Sequence, residues 1–172
     1  SLSMELANLL VGNEPGAAVL EITADSAVTP FHRSVSCIGG TICTTGIRDS
    51  QALLMSMLEA VEEADLPADA LPAVHVSGCP SSCGTHQIGR LGFQGAAKFV
   101  DGKACSAFYL MLGGEEKAGA EKMGGPIGAI LTEEIPTFMV ELGKTVAAAG
   151  MDFDSWLESH EEDFRALAAK YI

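Results

Sequence analysis

Residues 75–95 read His-Val-Ser-Gly-Cys-Pro-Ser-Ser-Cys-Gly-Thr-His-Gln-Ile-Gly-Arg-Leu-Gly-Phe-Gln-Gly, and this stretch decides how the fold is interpreted. It contains Cys79 and Cys83 in a C-x3-C spacing with a glycine on each side. A second pair lies upstream, where Cys37 and Cys43 form a C-x5-C spacing around two glycines. The sequence around each pair predicts a turn that leaves a strand and enters a helix.

Four cysteines at these two spacings indicate a metal centre. Thiolates are ligands of zinc and of iron–sulfur clusters. Backbone N–H groups at helix starts favour negative charge, and the flanking glycines let such groups approach sulfur. Zinc-binding loops prefer closer spacings, whereas a larger cluster suits wide and unequal ones. The pattern therefore favours a [4Fe–4S] cluster, with a structural Zn²⁺ ion or four buried apolar cysteines as the alternatives.

Composition excludes several classes of protein. The chain has 172 residues, of which 48% are hydrophobic, so it fits one domain with a real core and is not intrinsically disordered. Its formal net charge of −13 argues against a nucleic-acid partner, because nucleic-acid binding relies on Lys and Arg. No apolar run reaches the roughly 20 residues that a membrane span needs, so no membrane partner is expected.

The cysteine count predicts the redox state of the thiols. Five cysteines is an odd number, which disfavours a closed disulfide framework. The N-terminus shows no secretory pattern, so we expect a cytoplasmic protein with reduced thiols. The fifth cysteine, Cys105, lies outside both pairs and is predicted to pack in the core.

The pattern of apolar residues predicts an α+β fold with a mixed sheet. Residues 1–33 are predicted to be the end of a preceding lobe or a linker, and residues 34–172 the main domain. Helices are predicted over 4–11, 49–63, 132–149 with Thr132 as the N-cap, and 152–171. Strands are predicted at 17–23 and 73–76, within 88–100, and at 105–112 and 127–131, with a hairpin turn at Asp101-Gly102.

At these residues the chain resembles a known family. Residues 75–95 resemble the signature of the sirohaem-dependent nitrite and sulfite reductases, and the C-x5-C pair matches that family's first cysteine pair. Residues 109–114 and 127–142 resemble the strand with a Gly-Gly ending and the next strand and helix of the same family. The resemblance covers roughly Ser34 to the C-terminus. It implies the [4Fe–4S]/sirohaem domain, a mixed sheet flanked by helices.

The resemblance also implies roles for the cysteines. Cys37, Cys43, Cys79 and Cys83 would be the ligands of a [4Fe–4S] cluster, and Cys83 would also bridge to the sirohaem iron. The implied activity is the six-electron reduction of nitrite to ammonia or of sulfite to sulfide. The Ser82-Cys83-Gly84 side of the motif is closer to the nitrite reductases. Two departures are Ser81, where the family often has Asn, and the absence of Thr-Gly-Asn within the first pair.

Members of this family are usually longer, and their substrate-binding Arg and Lys lie mostly in the N-terminal portion. The chain is therefore expected to be the C-terminal domain of such a reductase and inactive alone, with residues 1–33 ending a ferredoxin-like lobe. The implied partners are the N-terminal half, a ferredoxin or flavoprotein electron donor, and the small anion. No catalytic residue is assigned within the chain.

Four further residues are candidates for binding the carboxylates of sirohaem. Arg33, Arg48 and Arg90 can pair with carboxylates in bidentate geometry, and His86 can donate a hydrogen bond. Ordinary surface ion pairs are the commoner role for each arginine, and a polar residue behind the site or at the surface is the commoner role for His86. Two other functions stay open: an electron-transfer module that holds only the cluster, and a Zn-stabilised structural domain.

Overall fold

A computed structural model of the protein describes residues 29–172, so the elements predicted at 4–11 and 17–23 lie outside the described residues. A short 3-10 turn, Pro30–Arg33, precedes the first strand. The strands are β1 Val35–Ser36, β2 Val74–Ser77, β3 Leu91–Val100, β4 Lys103–Leu112 and β5 Gly125–Leu131. The helices are α1 Ser50–Glu63, α2 Ile135–Ala149, α3 Phe153–Ser159 and α4 Glu161–Ala168.

The five strands form one mixed sheet in the order β1-β2-β3-β4-β5. The first two pairings are parallel and the last two are antiparallel. β1 pairs with β2 over two residues only, with Val35 opposite His75 and Ser36 opposite Val76. The predicted α+β class with a mixed sheet is confirmed.

Local sequence explains the best-formed elements. β3 and β4 pair along their whole length, from Leu91 opposite Leu112 to Val100 opposite Lys103. The predicted turn joins them, with Asp101 and Gly102 at φ values of 50° and 78°. Helix α1 begins where predicted, because the Asp49 carboxylate accepts a hydrogen bond of 3.0 Å from the backbone N–H of Ala52.

The hydrophobic core lies on one face of the sheet. Alternate strand residues such as Val76 and Phe93 are fully buried there, as the period of two in a strand requires. The helices cover this face with large side chains, among them Leu53, Met57, Phe138, Leu142, Trp156 and Phe164. Phe31 is 2% exposed and belongs to the same core, so the 3-10 turn before β1 is packed against the domain. None of the helices within residues 29–172 has the length and apolar character needed to cross a membrane.

The opposite face of the sheet is covered by residues 78–90, which connect β2 to β3. Glycines make this close packing possible: a methyl group on Gly92 would overlap the carbonyl oxygen of His86, and one on Gly89 would lie 2.9 Å from the His75 ring. Residues 78–90 form turns and contain no helix, so the helix predicted after the second cysteine pair is wrong. Ser82 and Thr85 have φ values of 60° and 53°, which are incompatible with a right-handed helix.

The predicted N-cap at Thr132 is also wrong. The Thr132 hydroxyl lies 2.8 Å from the Ser106 hydroxyl, and its backbone N–H donates to the Ser106 carbonyl over 3.0 Å. These bonds extend the pairing of β5 with β4 and delay the helix. Helix α2 therefore starts at Ile135, with Pro136 in the first turn, where a missing N–H costs nothing.

The last predicted helix, 152–171, is two helices. His160 has φ −131° and ψ 32°, and its ring stacks on the Trp156 indole with 5.6 Å between the ring centroids. The acidic side chains that follow occupy the first turn of α4, where negative charge is favoured. The predicted apolar set of these helices is buried as expected: Phe153, Trp156, Leu157, Phe164 and Leu167.

Replacing Phe31 by alanine tests whether the 3-10 turn belongs to the folded domain. We expect Phe31→Ala to lower the free energy of unfolding by about 3–5 kcal/mol, because a fully buried ring leaves a cavity. Urea denaturation of the chain measures this. The control is Phe99→Ala, whose ring is 75% exposed and whose loss should change stability by no more than about 0.5 kcal/mol. Equal stabilities of the two variants would contradict the assignment of Phe31 to the core.

Candidate metal centre

The two cysteine pairs lie in loops at the same edge of the sheet. Cys37 follows β1 directly, in a segment of residues 37–49 that we call the first cysteine loop. Cys79 and Cys83 follow β2, in residues 78–90, the second cysteine loop. β1 and β2 are adjacent and parallel, so both loops start at the carboxyl-terminal edge of the sheet. The sheet topology thus brings two segments that are far apart in sequence side by side.

Backbone hydrogen bonds join the loops. The Cys37 N–H donates to the Val76 carbonyl over 2.9 Å, and the Gly78 N–H donates to the Cys37 sulfur over 3.2 Å. The Gly78 carbonyl accepts bonds of 3.2 and 3.0 Å from the N–H groups of Ile47 and Arg48. Gly78 therefore contacts both ends of the first cysteine loop. Its own packing permits no side chain, since a Cβ there would lie 2.5 Å from the Arg48 carbonyl oxygen.

Cys37 has surroundings that favour a thiolate. The Ser50 hydroxyl lies 3.1 Å from its sulfur. Burial by itself raises the pKa of Cys37, but hydrogen bonds from the Ser50 hydroxyl and from the N–H groups of Gly78 and Gly39 outweigh that effect. The net pKa of the Cys37 thiol is therefore below its usual value. A thiolate is the form that ligates metals.

Cys43, the second cysteine of the first loop, shows the same tendency. The Thr45 hydroxyl lies 3.2 Å from its sulfur. Hydrogen bonds from the Thr45 hydroxyl and from the Thr45 backbone N–H lower the pKa of the Cys43 thiol. The donor set of the first loop thus fits a thiolate-bound cofactor.

The second loop presents its two cysteines differently. Cys79 is 8% exposed, whereas Cys83 is exposed and its sulfur is 4.0 Å from the Ser81 carbonyl oxygen. Within residues 29–172, no three cysteine, histidine or acidic side chains gather closely enough to hold one metal ion. The structure places the two loops side by side, and the joining of all four thiolates around one cofactor stays a prediction.

The three candidate arginines divide between the two edges of the sheet. Arg48 lies in the first cysteine loop, where its Nε donates to the Ala96 carbonyl over 2.6 Å and its Nη1 to the Ile47 carbonyl over 2.7 Å. Arg33 ends the 3-10 turn before β1 and Arg90 immediately precedes β3, so both lie at the edge opposite the cysteines. Arg90 forms an ion pair of 2.6 Å with Asp154 of α3. Of these arginines, Arg48 alone is next to the candidate centre.

His86 belongs to the second cysteine loop and is completely buried, so the surface role is wrong. Its Nε2 lies 3.0 Å from the amide oxygen of Gln94. Burial lowers the pKa of His86, and the bond to Gln94 offsets this only in part. Its Nδ1 is buried without a hydrogen-bond partner among the described residues. The prediction that His86 contacts a cofactor is not tested by this arrangement.

Cys105 is half-buried on β4 rather than packed in the core as predicted. It borders a cavity of about 700 Å³ between α1, β4 and the start of α2. Cys105 is outside both cysteine loops, and β3 separates its strand from β2 in the sheet.

Sequence analysis missed the polar residues that support the cysteines. Ser50 is fully buried at the start of α1, and its hydroxyl contacts the sulfur of Cys37, which lies 13 positions earlier in the chain. Thr85 bonds through its hydroxyl to the Nδ1 atom of His75 over 2.8 Å. The local sequence pattern does not predict these pairs, because each one joins a residue of a cysteine loop to a residue of a neighbouring helix or strand.

Comparison with known proteins identifies relatives of this site. The chain is 25% identical over 144 residues to the ferredoxin–nitrite reductase of Synechococcus elongatus, covering 78% of this chain and 28% of that protein. It is 25% identical over 144 residues to sulfite reductase [ferredoxin] 1 of Mycolicibacterium paratuberculosis, covering 77% and 26%. It is 32% identical over 81 residues to the chloroplastic ferredoxin–nitrite reductase of Betula pendula, covering 46% and 14%.

A solved structure shares the fold. The NirA protein of Mycobacterium tuberculosis matches with a TM-score of 0.62 and 22% sequence identity, over 80% of this chain and 27% of that one. A family model described as the carboxyltransferase domain, subdomain A and B, matches residues 1–75, which is less than half of the chain and stops before Cys79.

The first two relatives cover 78% and 77% of this chain, so the chain is similar to one part of an oxidoreductase, and the solved structure shares its fold. The chain is similar to the nitrite and sulfite reductases, and the resemblance inferred from its cysteine motif is confirmed. It spans about a quarter of the length of these two relatives.

The contact between the loops can be tested at Gly78. We expect Gly78→Ala to destabilise the chain by about 1–3 kcal/mol, because the added methyl group would be forced against the Arg48 carbonyl and overpack the contact. The control is Gly125→Ala, where an added methyl group meets nothing within 4 Å. Urea unfolding measures both. Equal stability of the two variants would show that the loops are not held together through Gly78.

Proposed function

We propose that this chain is the [4Fe–4S]- and sirohaem-binding domain of a reductase that converts nitrite to ammonia or sulfite to sulfide by six electrons. The observation that carries the proposal is the junction of the two cysteine loops. Adjacent parallel strands start both loops at one edge of the sheet, and the Gly78 N–H donates to the Cys37 sulfur across the junction. The two relatives that match more than three quarters of this chain are named as a nitrite reductase and a sulfite reductase.

In this proposal Cys37, Cys43, Cys79 and Cys83 hold the cluster. The first loop contributes two thiols whose hydrogen bonds favour the charged form. The second loop contributes one buried and one exposed thiol. Cys83 is the exposed one, and a sulfur at the surface has lone pairs free to bridge to a group outside the domain. When bound, the two cofactors would supply one-electron transfer and an iron that binds the anion.

The backbone around the first loop would tune the cofactor. N–H groups directed at sulfur stabilise negative charge on it, and such bonds shift the reduction potential of a cluster. The Gly78 N–H at 3.2 Å from the Cys37 sulfur is one such donor. Because a side chain at Gly78 has no room, the donor can approach this closely only from a glycine.

Substrate and partners follow from the relatives as part of the same proposal. Nitrite is preferred over sulfite, on the Ser82-Cys83-Gly84 motif and on the nitrite reductases named above. The electron donor is a ferredoxin, the donor named in those relatives, rather than a flavoprotein. The proposed location is the cytoplasm. Residues 1–33 end a preceding ferredoxin-like lobe and residues 34–172 form the cofactor domain, with Phe31 anchoring the junction in the core.

The cations that bind the anion are proposed to come from an N-terminal half. Anionic substrates need positive charge at the site. Arg48 is next to the cysteine loops, yet its guanidinium already donates to the carbonyls of Ala96 and Ile47. Arg33 and Arg90 lie at the opposite edge, so they are poor candidates for contacts with sirohaem in this half. The formal net charge of −13 is consistent with a basic partner for this domain.

The proposal predicts cofactor content in the chain as it stands. After anaerobic purification from iron-supplied cells that make sirohaem, we expect broad brown absorption and about four iron atoms per chain. Cys79→Ser should lose the iron, because one of four ligands is removed. Cys105→Ser is the matched control and should keep it, since Cys105 lies on β4, outside both cysteine loops. Metal analysis and visible spectra measure both variants.

The outcomes separate the proposed function from its alternatives. Sharp tetrapyrrole bands would show that this half holds sirohaem by itself. A cluster without those bands, persisting after the N-terminal half is supplied, would mean an electron-transfer module. One zinc ion per chain, lost in Cys79→Ser, would mean a structural zinc domain and would overturn the reductase assignment.

A further inference from the structure

The turn that carries Cys83 has an unfavourable backbone conformation. Ser82 and Thr85, on either side of the cysteine, have φ values of 60° and 53°. L-residues with side chains rarely adopt this left-handed region, and a β-branched residue such as threonine does so least readily. Such a conformation persists only where its surroundings fix it.

Two residues of β2, His75 and Ser77, form hydrogen bonds to this turn, and we call these two residues the clamp. The Ser77 hydroxyl accepts a 3.0 Å hydrogen bond from the Gly84 N–H, and Ser77 is fully buried. His75 lies 2.8 Å through its Nδ1 from the Thr85 hydroxyl. Both side chains lie on the outer face of the sheet, two residues apart on the strand, while Val76 between them points into the core. A methyl group on Gly84 would overlap the Val76 carbonyl oxygen, so the turn is pressed directly onto the strand.

Further contacts hold the clamp itself in place. His75 is 7% exposed, and Gly89 packs against its ring. Its second nitrogen, Nε2, lies 3.7 Å from a carboxylate oxygen of Glu116. Within the turn, the Thr85 N–H donates to the Ser82 carbonyl over 2.8 Å, and Ser82 bonds through its hydroxyl to Gln87. The ring of His75 is thus fixed on both sides, and it fixes Thr85 in turn.

We propose that His75 and Thr85 are positioning residues: their hydrogen bond holds the strained turn so that Cys83 projects outward while Cys79 stays buried. This inference rests on the proposed function, in which Cys83 is the thiolate that meets the second cofactor. The left-handed backbone of Ser82 and Thr85 and the hydrogen bonds from β2 together determine the direction of the Cys83 side chain. Neither residue contacts the cofactor in this account. Each acts through the backbone of residues 82–85.

The first test measures the turn in the chain without cofactors. Thr85→Val keeps the shape of the side chain and removes the hydroxyl, while His75→Leu removes the other partner. We expect the Gly84 amide to exchange its hydrogen about fivefold faster in both, since one net hydrogen bond of typical size shifts an opening equilibrium by about that factor. Thr85→Ser keeps the hydroxyl and should exchange at the wild-type rate. Hydrogen exchange followed by NMR gives the rate at Gly84 itself.

The matched control is Thr132→Val. It removes a threonine hydroxyl bond of the same length, 2.8 Å to Ser106, at the pairing of β4 with the end of β5 and outside both cysteine loops. It should leave the Gly84 rate unchanged. An unchanged rate in both folded Thr85→Val and His75→Leu would overturn the inference. A rate raised equally by Thr132→Val would do so too, because the effect would then be general loss of stability.

The second test links the turn to the cofactor. In chains reconstituted with iron and sulfide, we expect iron release to a chelator to be about fivefold faster in Thr85→Val than in the wild type and Thr85→Ser, in proportion to the opening of the turn. Faster Gly84 exchange with unchanged iron release would overturn the positioning role. A wild-type chain that binds no iron would overturn the proposed function instead, and the exchange rates would still decide whether the clamp holds the turn.

Discussion

The rest of the site depends on a single point of close approach, at Gly78. β1 and β2 pair over only two residues, which is too short a ladder to fix the loops that follow them. Gly78 completes the attachment by donating its N–H to the Cys37 sulfur and accepting bonds from Ile47 and Arg48. The distance between the cysteine loops is therefore set by backbone contact rather than by side-chain packing.

This constraint explains the glycines around the cysteines. A Cβ at Gly40 would lie 2.9 Å from the Gly46 carbonyl oxygen, and one at Gly95 would overlap the carbonyl of Gly78. The backbone of β3 thus presses on Gly78 from the other side. Residues without side chains are needed because three backbone segments meet at one point. The same closeness brings N–H groups within reach of sulfur.

Sequence analysis predicted the features that depend on local pattern. The hairpin at Asp101-Gly102, the start of α1 at Asp49 and the apolar faces of the helices all follow from neighbouring residues. The cysteine spacing led to the family because two pairs with flanking glycines are specific. The α+β class follows from the mixture of strands and helices that the apolar pattern predicts.

The errors lie where a specific side-chain contact overrides the local sequence pattern. The second cysteine loop contains no helix because contacts with β2 hold Ser82 and Thr85 in the left-handed region. Thr132 is drawn into the sheet by Ser106, and His160 divides the last helix while stacking on Trp156. In each case a specific hydrogen bond or ring contact replaces the helix start or continuous helix that the sequence pattern predicts.

The polar contacts at the site differ between the two loops, and the difference has a physical meaning under the proposed function. The thiols of the first loop are surrounded by hydroxyl and N–H groups that stabilise charge on sulfur. Within residues 29–172, no hydroxyl or N–H group donates to the Cys83 sulfur, and the polar contacts around it hold the backbone of the loop instead. A ligand to the cluster alone needs its charge stabilised from the protein side, whereas a sulfur shared between two iron centres receives that stabilisation from the metals. The contacts of the first loop therefore stabilise the charge of a thiolate, whereas those of the second loop fix the direction of the Cys83 side chain.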